Sequence, residues 1–187
     1  MRSLVQAIVI SAVTTWGANC YAASVAAPMG IEVGKTTCDQ VEAKLNGTQG
    51  VSGNKDQSSW SKGTMFVLDK VDGFGVDGLQ KMLIVCGPSN VTMLVEMTFN
   101  KGGMGNPAVQ STAHQLDSKY SPVRKNLPEL ADGSALWKAP NASIELQYAF
   151  MNFSFDVDYW SPGAEVSYKK WVTAQQKESA QKKTNQL

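Results

Sequence analysis

The sequence predicts an α+β fold with helices packed on one face of antiparallel sheet. Three observations carry that expectation. Hydrophobic periodicity alternates between helical and strand spacing along the chain, and turn residues punctuate the changes. An apolar content of 43% against 18% charged residues is enough for a packed core. The predicted order is α-βββ-α-βββ-α, a helix followed by an antiparallel meander, used twice and closed by a third helix. No residue-level repeat relates the halves. We place a single domain over residues 23–175, its halves spanning about 31–102 and 106–175, with 176–187 as a flexible polar tail.

The first 22 residues read as a leader. Arg2 is the only charge before Glu32, the apolar run LVQAIVISAVTTW follows, and CYA ends in the small residues that a signal peptidase recognises. This predicts a signal peptide over 1–22, cut after Ala22, with no integral membrane segment left afterwards. Asn19 before Cys20 argues against acylation as a lipoprotein. Loss of the leader leaves two of three cysteines, Cys38 and Cys86, so an oxidising compartment predicts a disulfide between them. Loss of Arg2 brings the 17 basic side chains level with the 16 acidic ones. A near-neutral chain without a basic stripe has no electrostatic footprint for nucleic acid.

The elements follow in order. ASVAAPMG is an extended lead-in. A helix over 36–46 starts at Thr36 or Thr37, where Thr37 and Gln40 have capping-box spacing, and it ends at Asn46-Gly47. Cys38, Val41 and Leu45 share one of its faces. GTQGVSGNKDQSS reads as a polar loop. GTMFVLD, GLQKMLIVCG and VTMLVEMTFN read as strands, the first two joined by KVDGFGVDG. Asn106-Pro107 opens a second helix with Val109, Ala113, Leu116 and Tyr120 along one side. SPVRKNLPELADG, with two prolines, reads as loop. SALWKA, ASIELQYAF and FSFDVDYWS are the later strands, and Ser161-Pro162 leads into a helix with Ala164, Tyr168, Trp171 and Val172 as its stripe.

The stretch MGIEVGKTTCDQVEAKL is similar to the helix start of many small exported bacterial proteins, matching at Gly34, Thr36, Asp39 or Gln40, Val41 and Leu45. Among those it resembles are the small lipoprotein subunit of the outer-membrane β-barrel assembly machine and the β-lactamase inhibitor protein. LDSKYSP…ALWKAPNASIELQY…VDYWS likewise looks like the second half of other exported proteins. The resemblance implies a helix on an antiparallel sheet, a bacterial source with periplasmic location, and protein binding in place of catalysis. It carries over no partner-binding residue.

Candidate sites are few. GFGVDG matches GxGxxG, but LQKMLIVC after it is too short and strand-like for the helix that a dinucleotide site needs. Asp69, Asp72 and Asp77 sit among glycines and resemble one turn of a calcium-binding nonapeptide repeat, though with no neighbouring turn to stack on. Asp156 and Asp158 share a strand face. Proton chemistry there would need one of them desolvated, and an exposed polar face is the simpler expectation. Trp160 continues that face and is either covered by the third helix or open to a partner. His114 is the only histidine and cannot build a zinc site alone. No catalytic residue and no cofactor follow from these patterns.

The sequence therefore predicts a non-enzymatic periplasmic protein-binding module, of inhibitor or immunity type, whose partner is another exported or envelope protein. Asp156, Asp158 and Trp160 are its candidate partner-binding residues. The alternative is a small-ligand or calcium-binding exported protein that uses the Asp69–Asp77 loop.

Overall fold

The computed structural model describes residues 24–103 and 105–184, so the predicted leader lies outside the described residues. Its centre is one antiparallel sheet of eight strands, in the order β1-β2-β3-β4-β8-β7-β6-β5. The first half is α1 (Cys38–Gly47) followed by β1 (Ser52–Gln57), β2 (Thr64–Lys70), β3 (Leu79–Cys86) and β4 (Thr92–Asn100). The second half repeats it with α2 (Pro107–Asp117), β5 (Ser121–Asn126), β6 (Gly133–Ala139), β7 (Ala142–Tyr148) and β8 (Ser154–Trp160). α3 (Ala164–Thr184) closes the described chain. β4 and β8 join the halves, with Met97 opposite Val157 near the middle of their pairing.

Each half thus holds four strands where the sequence predicts three. The two added strands, SGNKDQ and SPVRKN, occupy opposite edges of the sheet and are exposed at every position. Neither has an apolar alternation, because neither buries a face. Lysines, Asp56, Arg124 and Pro122 suit edges that must not pair further. Gly53 sits where the β1 register shifts, and a Cβ there would lie 2.0 Å from the Val67 carbonyl oxygen. Only glycine lets the two backbones approach so closely.

α1 starts as its residues dictate. The Gln40 N–H donates to Thr37 Oγ1 at 3.3 Å and the Thr37 N–H donates to Gln40 Oε1 at 3.0 Å, completing the capping box. Thr37→Ala should cost about 1 kcal/mol of stability and Thr37→Ser almost none. Chemical denaturation of the two variants checks this, and equal losses would remove the cap from the account. Cys38 forms a disulfide with Cys86, the last residue of β3, tying the helix start to the sheet. Asn141 holds the lead-in: it accepts from the Ala26 N–H and donates to the Ala26 and Val33 carbonyls.

Asn106 precedes α2 but makes no side-chain cap. Its amide instead donates to the Leu127 and Pro128 carbonyls and to the Tyr148 hydroxyl, fastening the loop before β6. Asp117, at the other end of α2, accepts from Trp137 Nε1 at 2.8 Å and from Lys125 Nζ at 2.6 Å.

Val41 and Leu45 of α1 and Val109, Ala113 and Leu116 of α2 pack on one face of the sheet, against Ile84, Met97, Ile144 and Val157. The expectation that all helices share a face fails for α3. Ala164 and Tyr168 pack with Val85, Leu94 and Trp160, which alternation turns to the opposite side. One end of that face is apolar and needs a cover, which α3 supplies. α3 continues to Thr184, into the segment expected as polar tail, and is exposed from Thr173 to Lys182. Among the described residues no helix is long and apolar enough to cross a membrane.

Candidate functional site on the sheet face opposite α1 and α2

On β4, β8 and β7 the helix-facing residues are almost wholly apolar, so every second residue projects to the other side. Register then places Glu96 of β4 directly opposite Asp158 of β8, and Asp158 opposite Glu145 of β7. The neighbouring row is Thr98, Asp156 and Gln147. Three carboxyls in a line across three central strands, with a fourth beside them, oppose folding through like-charge repulsion. Around them, Thr98 Oγ1 donates to Asp156 Oδ1 at 2.8 Å, and Arg124 approaches Glu145 at 4.0 Å from the edge strand.

Asp158 overturns the expectation of an exposed polar face. Burial, then the charges of Glu96, Asp156 and Glu145, push its carboxyl up to about 8. The Trp160 indole N–H lies on the side that favours the charged form, yet it does not reach hydrogen-bond geometry. Asp158 Oδ1 and Trp160 Nε1 are both enclosed without a hydrogen-bond partner among the described residues. Glu96 is also raised, by burial first and then by Asp156. At neutral pH Asp158 is thus largely a neutral acid. The desolvation that proton chemistry requires is present at this residue, but Trp160 and α3 lie to one side of it and the open surface begins at Asp156.

Trp160 is only 4% exposed, with the Tyr168 ring 5.3 Å away and Trp60 edge-on at 5.9 Å. It is covered, and so is not itself a contact surface. On the far side of the acids lies a polar cleft of about 470 Å³, lined by Asp156, Gln147, Ser134, Asn126, Ser154 and Asn152. The loops at its rim expose three large apolar side chains, Leu130 at 76%, Met151 at 80% and Phe153 at 75%. These loops are anchored. The Phe150 N–H donates to Asp132, the Tyr148 hydroxyl donates to the Pro128 carbonyl, and Lys101, only 2% exposed, donates to the Phe150 carbonyl at 2.5 Å.

Alternation in FSFDVDYWS puts Asp156, Asp158 and Trp160 on one strand face, whereas Glu96, Glu145 and the edge residue Arg124 join them only through strand pairing. A lone Glu opposite the apolar positions of VTMLVEMTFN and of ASIELQYAF was a visible signal. That the two meet at Asp158 depends on strand order. Asp69, Asp72 and Asp77 are not brought together: Asp69 lies in β2, Asp72 in a 3-10 turn and Asp77 beyond it, all exposed. Among the described residues no three His, Cys, Asp or Glu side chains are placed to hold a metal ion. GFGVDG forms the β2–β3 connection, with Gly75 and Gly78 left-handed and a strand after it. His114 is exposed on α2.

What fold and face define is an eight-stranded α+β protein with one disulfide and an acidic sheet surface beneath an apolar rim. The chain matches no family model, no curated protein and no solved structure.

Proposed function

We propose that this chain is a non-enzymatic periplasmic protein-binding module that receives a positively charged segment of another exported or envelope protein on the sheet face opposite α1 and α2, beyond the end that α3 covers. The observation that carries the reading is the row Glu96–Asp158–Glu145 with Asp156 beside it. Folding gains nothing from carboxyls buried and crowded so closely that Asp158 holds a proton, whereas a lysine- or arginine-bearing partner favours their charged forms and gains steering. The exposed Leu130, Met151 and Phe153 supply the apolar contact that such an interface needs beside its charges. The leader read from the sequence and the Cys38–Cys86 disulfide support an exported, oxidising compartment. The helix-start motif that resembles exported binding proteins points the same way, and an inhibitor or immunity role is the specific form proposed.

The test compares the wild type with a Glu96→Gln, Glu145→Gln, Asp156→Asn variant as baits in an extract of exported proteins. A partner captured by the wild type should bind the neutralised face at least about tenfold more weakly. Its wild-type affinity should also fall as salt rises from 50 to 500 mM. Equal affinity for both baits, or indifference to salt, would sink the acidic-face reading.

A further inference from the structure

The opposite, helix-bearing face holds a second concavity that the protein-binding reading does not use. It lies over the central strands, with Met97, Phe99, Val157 and Tyr159 as its floor. Leu116 and Tyr120 form the α2 side, and the Gly75–Asp77 stretch of the β2–β3 connection stands across from them. Its volume of about 430 Å³ falls in the range of small-molecule sites.

Two features mark it as more than a packing gap. Tyr120 and Tyr159 are 9% and 8% exposed, with their rings edge-to-face at 6.5 Å. Neither hydroxyl has a hydrogen-bond partner among the described residues, and neither is sealed off, so both open onto the cleft. A largely buried phenol whose hydroxyl opens onto a cleft and has no acceptor within the protein is free to donate to a bound ligand. Burial also raises both phenols, so both remain donors at neutral pH. The second feature is charge: Lys119 lines the mouth and makes no ion pair among the described residues. Two unused donors and a cation converge above an apolar floor.

We infer that this cleft binds a small amphipathic carboxylic acid, its apolar body on Met97, Phe99 and Val157 and its carboxylate accepting from Tyr120 and Tyr159 near Lys119. Asp77, on the opposite wall, disfavours a second acidic group and so selects a monoacid. The site is independent of the acidic face. The Glu96→Gln, Glu145→Gln, Asp156→Asn variant should bind the acid as the wild type does, whether or not it loses a protein partner.

The experiment is calorimetric titration of the purified protein with decanoate and with 3-phenylpropionate, the first standing for an acyl source and the second for an aromatic one. Decanol is the uncharged control. One of the two acids should bind saturably with one-to-one stoichiometry, and decanol at least about tenfold more weakly. Tyr120→Phe with Tyr159→Phe removes the hydroxyls and keeps the rings, and should weaken the acid about tenfold or more. Thr112→Trp, from the partly exposed wall of α2, should abolish binding by filling the cleft. Circular dichroism checks that each variant is folded. Should the double tyrosine variant unfold, Thr112→Trp decides the matter. Absence of saturable binding by either acid, or full retention in Thr112→Trp, overturns the inference.

Discussion

Replacing both Cys38 and Cys86 by alanine should lower the stability of the fold by about 4 kcal/mol. The bridge closes a sequence separation of 48 residues, and the chain-entropy cost of leaving such a loop open in the unfolded state is of that size. In a domain of this length the loss corresponds to roughly 10 °C in melting temperature. The bridge is also well placed structurally. Cys38 is the first residue of α1, Cys86 the last of β3, and both are buried in the main core. Thermal and denaturant unfolding of the double variant, and of the wild type under reductant, should agree. A loss below about 1 kcal/mol in both would mean that core packing alone holds α1 on the sheet.

The second large effect concerns pH. The carboxyl of Asp158 is raised from an ordinary 3.8 to about 8 in the folded protein. Between those values the folded state binds a proton that the unfolded state has released. Its contribution is therefore fully present below about pH 4, declines as pH rises, and is lost once pH passes about 8. The decline approaches about 1.4 kcal/mol per pH unit at its steepest, so on the order of 5 kcal/mol separates the two ends at most. Glu96 is raised as well, by burial first and then by Asp156, and so adds a pH dependence of the same sign. The wild type should be more stable at pH 5 than at pH 8. Asp158→Asn, which keeps the shape and drops the charge, should be more stable than wild type at pH 8 and should lose less stability between pH 5 and pH 8, the remainder coming from Glu96. Urea unfolding at both pH values reads this directly. A wild type that gains stability from pH 5 to pH 8 would contradict the burial of Asp158.

Six of the eight strands, all three helices and the α1 capping box were legible in the residues. Each buries an apolar stripe or carries a local signal, as Thr37 and Gln40 do at the start of α1. The edge strands were not legible. SGNKDQ and SPVRKN bury nothing, so the only trace of their structure is the partner strand they pair with. Nor was the side of the sheet that α3 takes, because Ala164, Tyr168 and Trp171 describe a stripe and not its destination. The candidate site divides the same way. The alternation of FSFDVDYWS places Asp156, Asp158 and Trp160 on one face, but the carboxyls opposite Asp158 come from other strands, Glu96 of β4 and Glu145 of β7, 62 and 13 residues earlier in the chain.

Composition and periodicity determined by themselves an α+β chain, and the cysteine count, once the predicted leader takes Cys20 with it, the pairing of Cys38 with Cys86. These follow from local backbone preference and from elimination, which need no long-range contact. Tertiary structure alone decided that Glu96, Asp158 and Glu145 stand in one row. It also decided that Asp158 is desolvated beside Trp160, and that Tyr120 and Tyr159 open into a shared cleft. Charge repulsion, desolvation and unmet hydrogen bonds belong to groups brought together across the sheet, and the order of strands that brings them together is set by packing of the whole core.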